Sequence, residues 1–324
     1  MADLFNMGLD SGMSFLETKK KQNDGIFRPS LDLAKDKAKG YRAIVRFLPN
    51  YSAEGLGENA IQKFLHYVKL PNYANLNGYY DSMRNFQGEK CLLTETYWQL
   101  KNSQNALEQE KAELISRSTK YYSYVQILED ENQPDLVGKI MIFPFGFKIK
   151  EKINQERVGE INDPCNVYDL SQGKDFVLLV KEVANFPNYD SSQFKQETSS
   201  ICLPVEKDGK TTLKRVPTED VEGVPTIPSK YHEKITEYLL ERDANINDYA
   251  PVKWDDDTRH KVEQIVGILT NNPVVGANNQ INSVATSGDD TFFDDESGSD
   301  NSVDLVSENS NSSSDDDDDF FGDV

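Results

Sequence analysis

Hydrophobic and polar positions alternate in short bursts along the first two thirds of this chain. Tyr41 to Asn50 is dense in β-branched and aromatic residues and closes on Pro49-Asn50, which predicts a strand. Ile61 to Leu70 predicts a second, stopped by Pro71-Asn72, and residues 72–90 mix Asn, Gly, Tyr and Asp like a loop. From Leu92 to Ile115 the period changes. Leu93, Tyr97, Leu100, Leu107, Ala112 and Ile115 recur at roughly helical spacing without Pro or Gly, predicting a helix or helical hairpin broken near Asn102 to Asn105. Three aromatic, strand-like runs follow: Arg117 to Leu128, Gly138 to Gly146, and Lys174 to Tyr189, the last closing on a turn signal at Phe186-Pro187-Asn188. Lys148 to Arg157 predicts a short basic helix, and Glu160 to Gly173 a loop.

Residues 198–229 predict a small hairpin around Asp208-Gly209. Ser229 is the expected cap of a helix from Lys230 to Arg242, and Asp255 to Thr270 predicts another, with Val262, Ile265, Val266 and Leu269 in register. The fold class expected is β-rich α+β: an OB-type Greek-key barrel with inserted and appended helices and a disordered acidic C-terminal tail. The chain then divides into a basic N-terminal arm (1–40), a core with its helical insertion at about 92–115 (41–197), an appended hairpin and helical region (198–272) and the tail (273–324). The tail is Asn, Ser, Gly and Asp, too poor in apolar area to offset the entropy of ordering it.

Charge changes the picture only once it is located. The formal net charge is −20 over 324 residues, but residues 273–324 hold fourteen of the 55 acidic residues and none of the 35 basic ones. The remainder carries 41 acidic against 35 basic residues, a net of −6. Within it, residues 19–46 are net +6, with nine Lys or Arg against Asp24, Asp32 and Asp36. Three widely spaced cysteines, Cys91, Cys165 and Cys202, fit reduced thiols rather than a disulfide framework, and the opening residues show no leader pattern. The longest apolar run, Ile140 to Phe147, is too short to cross a bilayer. A cytoplasmic protein without membrane contact is expected.

No enzyme is expected. His66, His232 and His260 sit in no pairing with Cys, Ser or Asp, and no Gly-rich phosphate loop, HExxH or GxSxG occurs. Asp255 to Asp257 reads as helix-start charge. Zinc needs four Cys or His ligands, and residues 51–100 supply only His66 and Cys91, so no metal and no cofactor is expected. The candidate chemistry is binding. Rings on a small sheet flanked by cations let unpaired bases stack while phosphates are neutralised. The candidates for contact with single-stranded DNA are Arg46, Arg117, Lys120, Tyr121, Tyr122, Lys139, Phe143, Lys148, Phe186 and Tyr189. Strand alternation puts Tyr122 opposite in face to Tyr121, and either face could be the wet one. At the tip, Asp315, Asp316, Asp317, Asp318 and Asp319 precede Phe320 and Phe321, an acidic-aromatic pattern suited to a basic pocket with an apolar floor on a partner protein. The competing reading is an acidic interaction protein, a chaperone or DNA mimic that takes basic partners.

Between about Gly40 and Phe194 the chain resembles the T-even-type bacteriophage single-stranded DNA-binding (helix-destabilising) proteins. The resemblance rests on Ala43 to Pro49, Thr119-Lys120-Tyr121, Gly138-Lys139 through Phe145-Gly146, Lys152-Ile153-Asn154, Phe176 to Leu178, Phe186 to Asp190, and Phe194. It implies an OB-fold core whose DNA-facing residues are Tyr121, Phe143, Phe186, Tyr189, Arg46 and Arg117. It also implies a basic arm for cooperative self-association, matched in composition by Lys19, Lys20 and Lys21, and an acidic tail that binds replication and recombination proteins. Such a protein coats unpaired DNA during phage replication, recombination and repair inside an infected bacterial cell. The family's zinc subdomain uses one His and three Cys. Only His66 and Cys91 stand in that region here, so apolar packing is expected to hold the lobe, and residues 198–270 have no clear counterpart.

Overall fold

Ile115–Asp130 form a single strand of 16 residues, free of Gly and Pro and rich in the Tyr, Val and Ile that suit a pleated surface. Most of the sheet is assembled on it. The computed structural model describes residues 25–159, 163–184, 186–207 and 210–270; the arm lysines Lys19 to Lys21 and the tail lie outside the described residues. In order the elements are β1 (Tyr41–Leu48), β2 (Tyr51–Ser52), β3 (Gly55–Leu56), β4 (Ile61–Val68), β5 (Gly78–Asp81), α1 (Leu92–Lys101), α2 (Ala106–Glu113), β6 (Ile115–Asp130), β7 (Ile140–Phe145), α3 (Phe147–Val158), β8 (Lys174–Val183), β9 (Phe186–Asn188), β10 (Gln193–Thr198), β11 (Cys202–Lys207), β12 (Lys210–Arg215), β13 (Glu219–Val221), β14 (Val224–Thr226), α4 (His232–Leu240) and α5 (Asp256–Thr270). Among the described residues no helix is long and apolar enough to cross a membrane.

Every pairing between the strands named above is antiparallel, and the isolated bridge of Ile26 to Ile142 is parallel. Tyr122 faces Ile61 of β4 and Pro144 of β7, whereas Tyr124 faces Leu48 of β1 and Ile142 of β7. So β1 and β4 lie end to end along one edge of β6, and β7 takes the other edge. The pairing continues outward through β8 to β10 on one side and through β5 on the other. Among the described residues this pairing follows an open path, and no closed barrel of the expected OB type is found. The outer edge of β7 is occupied by residues 25–27, where Phe27 N donates to Ile142 O and Ile142 N donates to Gly25 O, both at 2.8 Å.

The sheet is covered on both faces. Tyr41, Ala43, Val45 and Phe47 of β1, Val125 and Ile127 of β6, Met141, Phe143 and Phe145 of β7, and Phe176, Leu178 and Val180 of β8 form one core with Ile149 of α3. The alternate residues Leu48, Tyr122, Tyr124, Ile140 and Ile142 form a second core under Ile201, Leu203, Val216, Ile235, Leu239 and Ile246. That is the placement of much of the appended region: it roofs the sheet's second face. Gln126 is fixed there by bonds from its Nε2 to Cys202 O (2.7 Å) and to Tyr238 Oη (2.6 Å). A third core joins Val68, Leu70, Leu76, Met83, Leu93, Leu100 and Ile115 to Val262, Ile265 and Leu269 of α5. The last helix therefore closes the lobe that α1 and α2 begin.

Local expectations hold or fail for identifiable reasons. The break inside 92–115 falls where expected, and Asn105 Oδ1 caps α2 by accepting from Leu107 N. Ser229 does not cap α4: it lies in a 3-10 turn, and Tyr231 precedes the helix with no side-chain cap. Asp255 Oδ1 accepts from Thr258 N at 2.8 Å at the start of α5. Residues 78–81 form a strand because β4 pairs them, and Phe186–Asn188 fold back on the end of β8 instead of ending it. The turn between them holds Ala184 at φ 52°.

Burial pushes several phenols up: Tyr122 and Tyr168 to about 12, with Tyr41, Tyr124 and Tyr238 also raised. A raised acid is neutral in the fold and ionises more easily unfolded, so its stabilisation is complete below pH 10 and is lost as pH rises toward 12. Alkaline titration followed by phenolate absorbance and circular dichroism is expected to show the exposed tyrosines ionising first and the buried set ionising together with unfolding.

Candidate nucleic-acid interface

Four of the ten residues expected at the DNA surface lie inside. Arg46 is on the roofed face of β1 and fully buried: Nη2 donates to Asp169 O (2.6 Å) and Ser199 O (2.7 Å), and Nη1 donates to Ser199 Oγ (3.0 Å) and lies 3.6 Å from Asp175 Oδ1. Burial pulls its pKa down and Asp175 pulls it back up. Phe143 is fully buried between Phe27, Phe47 and Phe145. Tyr189 belongs to the same core. Tyr122 is turned to the second core, its ring stacked on Tyr249 at 5.1 Å. Side chains so placed present no face to a base or phosphate in this structure, and their burial follows from a roof over 200–250 and a helix, α3, that alternation along a strand cannot reveal.

The other six reach the surface but not one place. Lys139 is exposed in the turn before β7. Phe186 is 47% exposed on the β8–β9 hairpin. Lys148 at the start of α3 pairs with Asp190 at 3.0 Å. Arg117, Lys120 and Tyr121 share β6, and here the strand changes character. Residues 116–121 are each half-buried, whereas Ile115 and residues 122–128 are buried. This stretch lies between the first core and the α1–α2 lobe, in contact with α1 and α3 through neighbouring residues of β6.

Alternation sorts the stretch into two faces. Arg117, Thr119 and Tyr121 share one with Phe64 and the exposed Gln62 of β4. Tyr121 lies at the rim of the first core, stacked on Phe145 at 5.7 Å and 20°. Arg117 sits at the lobe end, its guanidinium 5.7 Å from the Tyr97 ring and 5.1 Å from the Trp98 ring of α1. From Arg117 to Tyr121 four residue steps make a floor of roughly 13 Å, the scale of a few stacked nucleotides. On the other face Lys120 Nζ lies 4.3 Å from the Tyr79 ring, which packs on Tyr67 at 4.8 Å. Tyr79, Tyr97 and Trp98 were not foreseen. For Trp98 a signal was available: it falls off the Leu93–Tyr97–Leu100 stripe that builds the lobe, on the polar side of its helix.

A family model described as "gp32 DNA binding protein like" matches residues 39–250. The chain belongs to this family. It is 27% identical over 167 residues to the single-stranded DNA-binding protein of Enterobacteria phage T4, covering 51% of this chain and 54% of that protein. To the protein of the same name from Enterobacteria phage T2 it is 28% identical over 172 residues, covering 51% and 53%. The chain thus spans about half the length of these relatives.

The resemblance implies a zinc held by one His and three Cys, and in that region this gp32-like chain has His66 and Cys91. His66 is fully buried, with Nε2 2.9 Å from Thr94 Oγ1 and Nδ1 3.3 Å from Ile115 O. Cys91 Sγ is 3.9 Å from His66 Nε2. Among the described residues no group of three or more His, Cys, Asp or Glu gathers there or elsewhere, and a structural zinc needs four ligands. Burial pushes the Cys91 thiol up, but bonds to His66, Ser82 and Thr94 outweigh it and bring it to about 6. Around this knot the lobe is apolar. Chelation of divalent metal is therefore expected to leave the thermal midpoint unchanged. His66→Ala, which leaves buried partners unsatisfied, is expected to cost about 1–3 kcal/mol in denaturant unfolding. A midpoint that falls on chelation would show a metal site after all.

Proposed function

We propose that this chain binds single-stranded DNA, without catalysis, along the half-buried stretch of β6. The observation that carries the reading is the break in burial at residues 116–121, where Arg117 and Tyr121 share one exposed-edged face and Lys120 with Tyr79 forms a cation–ring pair on the other. Rings at such a place stack bases of any identity and cations neutralise the phosphates beside them. Membership of a DNA-binding family and the names of the phage relatives support it. In this reading the protein coats unpaired DNA during phage replication, recombination and repair in the infected bacterial cytoplasm. Lys19, Lys20 and Lys21 join neighbouring copies along the strand, and Asp315 to Asp319 with Phe320 and Phe321 recruit replication proteins. Lys139, Lys148 and Phe186 serve as outlying contacts.

Titration of the full chain with oligo(dT) at several salt concentrations tests it. The logarithm of the binding constant is expected to fall linearly with the logarithm of salt. Arg117→Ala is expected to lower that slope by about one phosphate and Tyr121→Ala to weaken binding by roughly 5- to 150-fold, the equivalent of one lost stack. Absent or salt-insensitive binding, with capture of basic proteins instead, would favour the acidic-mimic reading drawn from the net charge of −20.

Arg46→Ala separates the buried cation from the exposed ones. It leaves Asp175 short of a buried partner and is expected to destabilise the fold by about 3–5 kcal/mol, while the salt slope of the protein that remains folded stays that of the native chain. A lowered slope at full stability would return Arg46 to the DNA surface.

A further inference from the structure

We propose that the outer edge of β10, with the acid-lined cavity beside it, is a docking site for an extended segment of a partner protein that carries an arginine or lysine. The site lies apart from the half-buried stretch of β6 and does not depend on the DNA-binding reading.

The edge is the first observation. β10 ends the pairing path of the large sheet, with β8 as its strand partner among the described residues. Gln193, Phe194 and Thr198 pair with Val177, Phe176 and Lys174, and the register shifts between Phe194 and Thr198. Phe194 is buried in the first core, while Gln193 and residues 195–198 are exposed. An edge of this kind presents backbone N–H and C=O groups to a further strand, and proteins commonly guard it with proline or with a lysine standing over it. β10 contains no proline. Its lysine, Lys195, is drawn aside onto Asp175 at 3.2 Å, within the network that holds Arg46 and Arg215. A register shift both blunts edges and re-aims side chains beside binding sites.

The cavity supplies the chemistry. A cavity of about 830 Å³ opens where Gln196 and Thr198 meet the loop between α3 and β8, with Asp163, Asp169 and Lys174 in its lining. Lys174 is buried, and its ammonium is committed to Glu156 in the last turn of α3. Asp169 Oδ1 accepts from Ser171 N, Ser171 Oγ and Gln172 N, each at 2.8 Å, whereas Oδ2 takes no donor among the described residues. Burial raises the Asp169 pKa, but these bonds outweigh it and hold the carboxyl below the ordinary aspartate value. With Lys174 neutralised by Glu156, the charge left in the lining is that of two carboxylates. A cationic side chain is what such a lining accepts.

The two features share residues. Gln196 and Thr198 belong to β10 and line the cavity, and Thr198 pairs with Lys174 across the ladder. Strand addition draws affinity from main-chain bonds and its choice of partner from pockets for alternate side chains. A segment laid along residues 193–198 finds both here. Two copies of this chain paired through β10 would leave Asp163 and Asp169 without a cation, so a basic segment is the better occupant. β8 and β1 separate β10 from β6 in the pairing path, so docking and DNA binding use different strands and proceed together.

The probe is a labelled, end-blocked heptapeptide alternating threonine and valine with a central arginine, titrated with the full chain. Its anisotropy is expected to rise on binding, and to do so equally when the chain is saturated with oligo(dT). Exchanging the arginine for glutamate, or methylating alternate backbone nitrogens of the peptide, is expected to weaken binding at least about tenfold. Asp169→Asn is expected to weaken the arginine peptide to the same degree and to leave oligo(dT) affinity unchanged; should that variant not fold, Asp163→Asn supplies the measurement. Hydrogen exchange at residues 193–198 is expected to slow when the peptide is bound. Absence of peptide binding, equal binding of the arginine and glutamate peptides, or binding indifferent to backbone methylation overturns the proposal. Dimers abolished by Gln196→Pro, seen without peptide binding, give the edge to a second copy and overturn it too. Each of these outcomes leaves the DNA-binding reading standing, while a chain that binds the peptide and no oligo(dT) overturns that reading alone.

Discussion

A long strand has two faces and two edges, and each must be buried, paired or left to a partner. β6 meets that requirement differently along its length. Over its C-terminal half it has β1 on one edge, β7 on the other and an apolar core against each face. Over its N-terminal part β4 pairs one edge and the end residue Ile115 is sealed into the third core. Between them the two cores do not meet, and residues 116–121 are left half covered. The candidate site is this unfinished burial, bounded by elements whose own apolar contacts hold them in place.

The same constraint explains why a cation-bearing strand ends up with its arginine inside. β1 has β6 and β8 on its two edges and a core on one face; once residues 199–203 roof the other, Arg46 is left, among the described residues, with backbone carbonyls, Ser199 and Asp175 as partners. Asp175 in turn takes Arg215 and Lys195 (3.2 Å). Buried charges persist where they are paired and hydrogen-bonded on several sides, and here the arrangement fastens the appended region to the sheet. Gly173 belongs to the same fitting: a Cβ there would lie 2.6 Å from Asp169 O and 2.7 Å from Arg46 Nη2.

The strands were legible because alternation and aromatic density are local. β1, β4, β6, β7 and β8 fall on the runs that predicted them, and the helical insertion breaks at Asn102 to Asn105 because Asn105 is a good cap. Parity was legible too, since Tyr121 and Tyr122 do face opposite ways. Which parity is covered was not, because the cover comes from residues up to a hundred or more positions away, as when Tyr238 Oη donates to Gly138 O and Ile246 N donates to Tyr124 Oη. Four-residue β5 was hidden by Asn and Gly, which read as turn residues until β4 supplies a pairing edge. The outer edge of β7 was not legible for a related reason: it is taken by a short segment near residue 26, a long-range choice that no local pattern encodes.

The third core has a consequence for the order of events during synthesis. Its first contributors, Val68 to Ile115, emerge early, yet Val262, Ile265 and Leu269 reach it only after another 140 or so residues have been made. Sequence separation of that size slows the closing of contacts, and domains tend to form from the N-terminal side as the ribosome releases them. The sheet on β6 and its first core can gather while the lobe still shows an apolar surface awaiting α5. On a nascent chain the wall bearing Trp98 is thus the last part of this architecture to become rigid, and a chain interrupted before residue 262 would carry the sheet without a finished lobe beside it.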